Sequence, residues 1–98
     1  MSKILTIVAR IEAKEEKLNM VKEKVQKLIE PTRQEVGCIQ YNLYQDNEKP
    51  EVFIFFENWE SQALWEAHMQ STHLLDFIKE TEGLLIDLTV HQMSKIVN

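Results

Sequence analysis

The sequence predicts an α+β fold of the ferredoxin-like βαββαβ type, in one domain spanning residues 1–98. Three observations predict it: the order of strand-like and helix-like patterns, a turn-forming stretch between two aromatic segments, and a second helical region that is broken in two. The chain is 44% apolar with only two glycines and two prolines, which excludes a disordered or collagen-like protein. Its length suits one hydrophobic core and is too short for two.

The first two elements are a strand and a long amphipathic helix. In residues 4–11 one side of the two-residue alternation is entirely apolar, as in a strand with a buried face. The apolar period then changes to three and four residues as far as Ile29, which indicates a helix. Pro31 disfavours helical geometry at Glu30, so we expect the helix to kink or restart there and to end near Gly37.

Three later segments are predicted strands. Cys38–Tyr44 and Val52–Trp59 are rich in β-branched and aromatic residues, and the turn-forming residues 46–50 separate them, so they form a hairpin. Residues 85–96 form the last strand. Between the hairpin and that strand, one helix spans about 61–70 behind a serine cap. A second helix follows the first and is capped at its start by Ser71 or Thr72. With the last strand this completes the βαββαβ order.

Charge and cysteine content exclude several classes of partner. Eleven basic against sixteen acidic residues give a net charge of −5, so neither nucleic acid nor an anionic membrane is an expected partner. The longest uninterrupted apolar run, Val52–Phe56, is far too short to span a bilayer. A single cysteine, Cys38, has no partner for an internal disulfide, as is usual in a reducing compartment. We therefore expect a cytoplasmic protein.

The sheet is predicted to have an unusually apolar second face. In this fold the helices cover only one face of the sheet. Val52–Phe56 presents apolar side chains to both faces, and residues 85–90 partly repeat this. A large exposed apolar face marks an interface, so the sequence predicts a homodimer with its sheets face to face.

The histidines are candidates for chemistry. On one continuous helix His68 and His73 would point about 140° apart, whereas a break at residues 71–72 brings them together. Neither has an acidic or cysteine neighbour at metal-ligand spacing, so no metal site is predicted. With the break, both can face a cavity above the sheet. The helix N-terminus should then keep His73 neutral, and His68, near a helix C-terminus, should be easier to protonate. His91 is interpreted as an ordinary polar residue of the last strand.

Glu57 is the most unusual acidic residue. It follows Phe53 and Phe55 at two-residue steps, so the three side chains share one face of a strand. Trp59 continues the same alternation. If this face is buried, desolvation raises the pKa of the carboxyl and makes it a possible base near neutral pH. A buried hydrogen bond or an ion pair with Arg10 is the alternative, and it is favoured over catalysis.

Other common catalytic patterns do not occur. With only Gly37 and Gly83 the chain cannot form a glycine-rich phosphate loop, so the nucleotide cofactors that need one are not expected. No serine or cysteine lies in a context that would activate it as a nucleophile. The residues alone therefore predict a dimeric domain with an aromatic, histidine-bearing pocket and no particular reaction.

Three segments together resemble a known family. They are Glu35 to Tyr41 (EVGCIQY), Glu57 to Ser61 (ENWES) and Ala67 to His73 (AHMQSTH). Their order and spacing resemble the antibiotic biosynthesis monooxygenase domain family over nearly the whole chain. The first segment departs from the family's Glu-Gly-Cys by one inserted residue, which displaces Glu35.

The resemblance implies a dimeric α+β barrel and a quinol monooxygenase-like activity. Such an enzyme oxidises a small electron-rich aromatic substrate with dioxygen and needs no flavin, haem or metal cofactor. Its implied catalytic residues are His68 or His73 as proton acceptor and Glu57 as the residue that orients it. The implied substrate-binding side chains are aromatic: Tyr41, Phe55, Trp59 and Trp65.

Two other functions remain open. Relatives that isomerise or process small phosphorylated signalling molecules of the autoinducer-2 type keep a similar histidine pair. That activity requires a basic cluster in the pocket, which Arg10 and Lys3 would have to supply. A non-catalytic dimer that binds a small ligand is the third possibility, favoured if the protein's own aromatic side chains fill the pocket.

Overall fold

The computed structural model describes residues 3–97. The strands are β1 (Leu5–Ala13), β2 (Cys38–Gln45), β3 (Val52–Trp59) and β4 (Leu85–Met93). The helices are α1 (Leu18–Lys27), α2 (Ile29–Arg33), α3 (Gln62–Met69) and α4 (Thr72–Glu80), and a 3₁₀ turn at Glu15–Lys17 precedes α1. All strand pairs are antiparallel, in the order β2-β3-β1-β4. This confirms the ferredoxin-like α+β fold. None of the helices described is long and apolar enough to cross a bilayer.

The first helical region breaks earlier than the sequence predicts. The interruption falls at Leu28, whose N–H donates to the carbonyl of Val25 at 3.2 Å and so tightens the last turn of α1. Pro31 was expected to force the break, yet it lies in the first turn of α2. A proline is tolerated there because its missing N–H has no partner within the helix in any case.

The break between α3 and α4 is as predicted. Ser61 Oγ accepts a hydrogen bond from the N–H of Leu64 at 3.2 Å, and Ser71 Oγ accepts one from the N–H of Leu74 at 3.4 Å. Each serine is an N-cap in extended geometry, so α4 starts afresh instead of continuing α3. This second start turns the first residues of α4 back towards the end of α3.

The last strand is shorter than predicted, because its neighbour ends. β4 pairs with β1 as far as Met93, which lies opposite Thr6. Since β1 itself begins at Leu5, the backbone of residues 94–96 has almost no strand left to pair with.

The two faces of the sheet differ as the alternation predicts. The face under the helices carries the buried core, which includes Ile7, Ile11, Phe53, Phe55 and Trp59. The register places Val8, Phe56 and His91 in one row on the opposite face, which no described helix covers. That open face carries apolar side chains such as Val8, Ile54 and Phe56 beside polar ones such as Arg10 and His91.

Gly37 lets the chain pass close to α3, and replacing it should destabilise the protein. Its φ is +89°, and a Cβ would lie 2.4 Å from Cδ1 and 2.8 Å from Cβ of Leu64. Gly83 is a matched control, because its φ is +78° and a Cβ there would meet nothing within 4 Å. We expect Gly37→Ala to lower the free energy of unfolding by about 2 kcal/mol and Gly83→Ala by about 1 kcal/mol, measured by urea unfolding. Equal losses would contradict the proposed steric contact.

Candidate functional site

A small cavity lies between the covered face of the sheet and the helices. Its volume is about 50 Å³, and its walls are apolar except for three side chains that bring polar groups to it: Tyr41, Glu57 and His68. A space of this size holds one or two water molecules. A larger molecule would therefore place only its reacting group inside.

The cavity opens at the free edge of the sheet. Leu88 and Val90 of β4 pair with Ile11 and Ala9, so they belong to the covered face. They are nevertheless 44% and 37% exposed in the single chain. Together with Ile78 of α4, which is 43% exposed, they form an apolar mouth that leads to the cavity.

Glu57 is a buried carboxyl on the cavity wall. Its residue is 3% exposed, and the indole N–H of Trp59 donates to Oε1 at 2.9 Å. The pKa of Glu57 is raised to about 7, chiefly by burial; the Trp59 hydrogen bond opposes the rise and the charge of Glu35 adds to it. The carboxyl is thus poised to gain or lose a proton near neutral pH.

Arg10, the predicted ion-pair partner of Glu57, lies on the open face of the sheet. There it binds Glu12 at 3.1 Å and Asp87 at 3.5 Å. The side chains of neighbouring strand residues point to opposite faces, so Arg10 cannot reach the cavity. The proposed ion pair between Arg10 and Glu57 is therefore wrong, whereas the proposed buried hydrogen bond exists.

A single carboxylate oxygen joins the two predicted histidines. Oε2 of Glu35 lies 2.7 Å from Nδ1 of His68 and 2.7 Å from Nε2 of His73. The fresh start of α4 makes this possible, and the loop after α2 supplies the glutamate. The sequence correctly indicated that a helix break would bring the histidines together, but it did not indicate what lies between them.

His68 reaches the cavity, and its surroundings correct one expectation. Its side chain is 3% exposed, with ring centroids 4.8 Å from Trp59 and 5.7 Å from Tyr41. Burial lowers the pKa of His68, although Glu35 opposes this. The expectation that His68 would be easy to protonate was wrong, because it weighed a helix end and not desolvation. A neutral imidazole able to accept a proton follows.

His73 lies outside the cavity, contrary to expectation. Its ring centroid is 6.1 Å from that of His68, and its side chain is 25% exposed. It borders an outer cleft together with Lys24, Asp76 and Glu80. Any part it takes in chemistry inside the cavity must therefore pass through Glu35.

The predicted aromatic residues divide into two groups. Tyr41, Phe55 and Trp65 line the cavity, and the rings of Tyr41 and Phe55 stack with centroids 4.7 Å apart. Trp59 is fully buried and is not part of the cavity wall; it contacts the site through its hydrogen bond to Glu57 and through its ring, which lies beside that of His68. Burial raises the pKa of Tyr41, which keeps its hydroxyl protonated and able to donate.

Glu35 is the site residue that sequence reasoning missed. It is separated from His68 by 33 positions and from His73 by 38, so no local spacing reveals the contact. The available signal was its place two residues before Gly37, where the chain approaches α3.

The side chains of Glu35, His68 and His73 could ligate a metal ion. Each offers one ligand atom, and these atoms all lie within 4.8 Å of one another. Two histidines and a carboxylate suit a divalent transition metal. The expectation of no metal rested on local spacing and remains a prediction.

Comparison with known proteins decides the family. Residues 4–80 match the sequence profile of the antibiotic biosynthesis monooxygenase family. The chain belongs to this family. It is 32% identical over 81 residues to the uncharacterized protein sll1783 of Synechocystis, covering 83% of this chain and 55% of that protein, so it spans about half of that relative's length.

Further relatives of this monooxygenase family are similar over most of their length. The Bacillus subtilis protein named "Putative monooxygenase YcnE" is 27% identical over 84% of this chain and 86% of its own. The crystal structure of PA3566 from Pseudomonas aeruginosa has a TM-score of 0.94 at 32% identity, covering 99% of this chain and 98% of that one. The whole βαββαβ unit is thus shared with that structure.

Proposed function

We propose that this protein is a cofactor-independent monooxygenase that oxidises a small, electron-rich aromatic substrate of the quinol type with dioxygen. One observation supports this most: a buried imidazole, a carboxyl with a pKa of about 7 and a phenol meet at one apolar cavity. These are a proton acceptor, a group that can hold or return a proton, and a hydrogen-bond donor. Family membership supports the same activity.

The reaction starts with proton removal. His68 takes the hydroxyl proton of the substrate, and the resulting anion is electron-rich enough to pass an electron to dioxygen. Recombination forms a carbon–oxygen bond at a ring carbon that carried hydrogen. Cleavage of the oxygen–oxygen bond then leaves a quinone carbonyl, and the second oxygen departs as water with the two hydrogens lost from the hydroxyl and the ring carbon. A dry apolar cavity favours these steps because water would quench the anion.

The other side chains position the substrate. The hydroxyl of Tyr41 donates to the developing oxyanion, and Glu57 orients the substrate and returns a proton to the peroxide oxygen that leaves as water. Phe55 and Trp65 hold the ring. Since the cavity is about 50 Å³, the rest of the substrate occupies the apolar mouth beside Leu88.

Oxygen uptake with a panel of reduced naphthoquinols and anthrones tests the proposal. The protein is first dialysed against a chelator, so that trace metal does not contribute. We expect dioxygen consumption that is matched by quinone formation and that scales with protein concentration. No uptake above the spontaneous rate with any member of the panel would overturn the proposal.

One observation favours a second candidate, a dimer that binds a small ligand without turnover. The cavity is only about 50 Å³, and aromatic side chains of the protein itself form part of its wall. Quenching of Trp65 fluorescence by an unreactive quinone, without oxygen uptake by any quinol, would support it. A phosphorylated substrate is disfavoured, because the cavity has no cationic wall residue in the part of the chain described and Arg10 lies on the other face.

The homodimer is likewise proposed to form through the open face of the sheet. Phe56 projects from the middle of that face, between Val8 and Asn42. We expect light scattering at micromolar concentration to give about twice the chain mass of 11.6 kDa. Phe56→Glu should dissociate the dimer because it buries a charge in the interface. Leu75→Glu, on the outer surface of α4 and 47% exposed in the single chain, is the control and should leave the dimer intact. A monomeric wild type would contradict this proposal.

A further inference from the structure

We infer that Glu35 is the positioning residue that fixes the tautomer and orientation of His68, so that Nε2 of His68 is the proton acceptor towards the cavity, and that His73 holds the same carboxylate oxygen in place from outside the cavity. The inference rests on the proposed function for its chemistry and on the geometry of the three side chains for its mechanism. Both contacts to Oε2 are 2.7 Å, the length of a charge-assisted hydrogen bond.

The carboxylate selects the tautomer of His68. An ionised carboxylate only accepts hydrogen bonds, so Nδ1 of His68 must carry the hydrogen. The hydrogen position is assigned from this partner. Nε2 is then the unprotonated nitrogen, and no hydrogen bond occupies it among residues 3–97. Because the ring lines the cavity, its free lone pair is available to a substrate there.

The same oxygen also accepts a hydrogen bond from His73, whose Nε2 must likewise be the donor. Oε2 is therefore held from two sides, by His68 near the end of α3 and by His73 at the start of α4. The carboxylate that orients the buried imidazole is thus itself fixed in place by a histidine outside the cavity.

Nitrogen NMR of the histidine rings tests the inference without any activity. In the wild type above neutral pH we expect His68 as the Nδ1–H tautomer. Glu35→Gln should allow the Nε2–H tautomer of His68, because an amide can donate as well as accept. His73→Ala should leave His68 as the Nδ1–H tautomer, because Oε2 of Glu35 still accepts from it. A merely structural role of Glu35 would not change the tautomer. An unchanged tautomer of His68 in Glu35→Gln would overturn the inference.

Kinetics with an active quinol give the second readout. Glu35→Gln should lower kcat at least about tenfold with KM within about twofold of the wild type, because the base is affected and the binding walls are not. Glu66→Gln makes the same charge change on the exposed side of α3 and should leave kcat unchanged. Equal kcat in Glu35→Gln and wild type would overturn the inference. If the wild type oxidises no quinol, the proposed function fails, and the NMR shifts alone decide the role of Glu35.

Discussion

His68→Asn is expected to lower kcat/KM for quinol oxygenation by at least about a hundredfold, the contribution typical of a general base. Asparagine is close in size and its amide can still donate to Glu35, so the cavity and the hydrogen bond at Nδ1 are largely preserved. What it removes is the lone pair at the position of Nε2. The loss should therefore appear in the proton-removal step and not in substrate binding.

The measurement is the initial rate of oxygen uptake over a range of quinol concentrations. His91→Asn is the matched control, because that histidine lies on the open face of the sheet, on the opposite side from the cavity. The control should retain full activity, and circular dichroism should show both variants folded. If His68→Asn and His91→Asn have the same activity as the wild type, His68 is not the base.

What the sequence predicts well is set by local geometry. The two-residue alternation of β3 correctly put Glu57 and Trp59 on one buried face, and the N-cap chemistry of Ser71 correctly predicted the break that brings His68 and His73 together. Both depend on neighbours within a few positions. Period and capping are therefore readable without knowing the tertiary structure.

The features that the sequence does not reveal depend on packing between distant segments. Glu35 meets the histidines only because Gly37 allows the loop after α2 to approach α3. The pKa of His68 was predicted in the wrong direction because its burial comes from strand aromatics as well as from its own helix. Likewise, Leu88 shares a sheet face with the buried Ile11 and is still exposed, which no pattern within its own strand reveals.

The buried carboxyl of Glu57 is expected to make the protein less stable as the pH rises. Its pKa is about 7 in the folded protein and 4.5 ordinarily, so the folded state holds the proton more tightly than the unfolded chain does. Below pH 4.5 the carboxyl is neutral in both states and causes no loss. Above it, the unfolded chain releases the proton first, so the free energy of unfolding falls until the folded carboxyl has also ionised near pH 7.

Ionisation of Glu57 lowers the free energy of unfolding by roughly 3 kcal/mol in all, and about 2 to 3 kcal/mol of this loss falls between pH 5 and pH 8. Glu57→Gln removes this dependence, because the amide stays neutral and its oxygen can still accept the indole N–H of Trp59. The free energy of unfolding of the variant should match that of the wild type closely at pH 5 and exceed it by about 3 kcal/mol at pH 8, in urea unfolding followed by tryptophan fluorescence.

The same variant should lose quinol oxygenation, because a residue kept at a stability cost is expected to serve function. Parallel pH profiles for wild type and variant would show that Glu57 is already ionised at pH 5, and the carboxyl would then not be a proton donor near neutral pH.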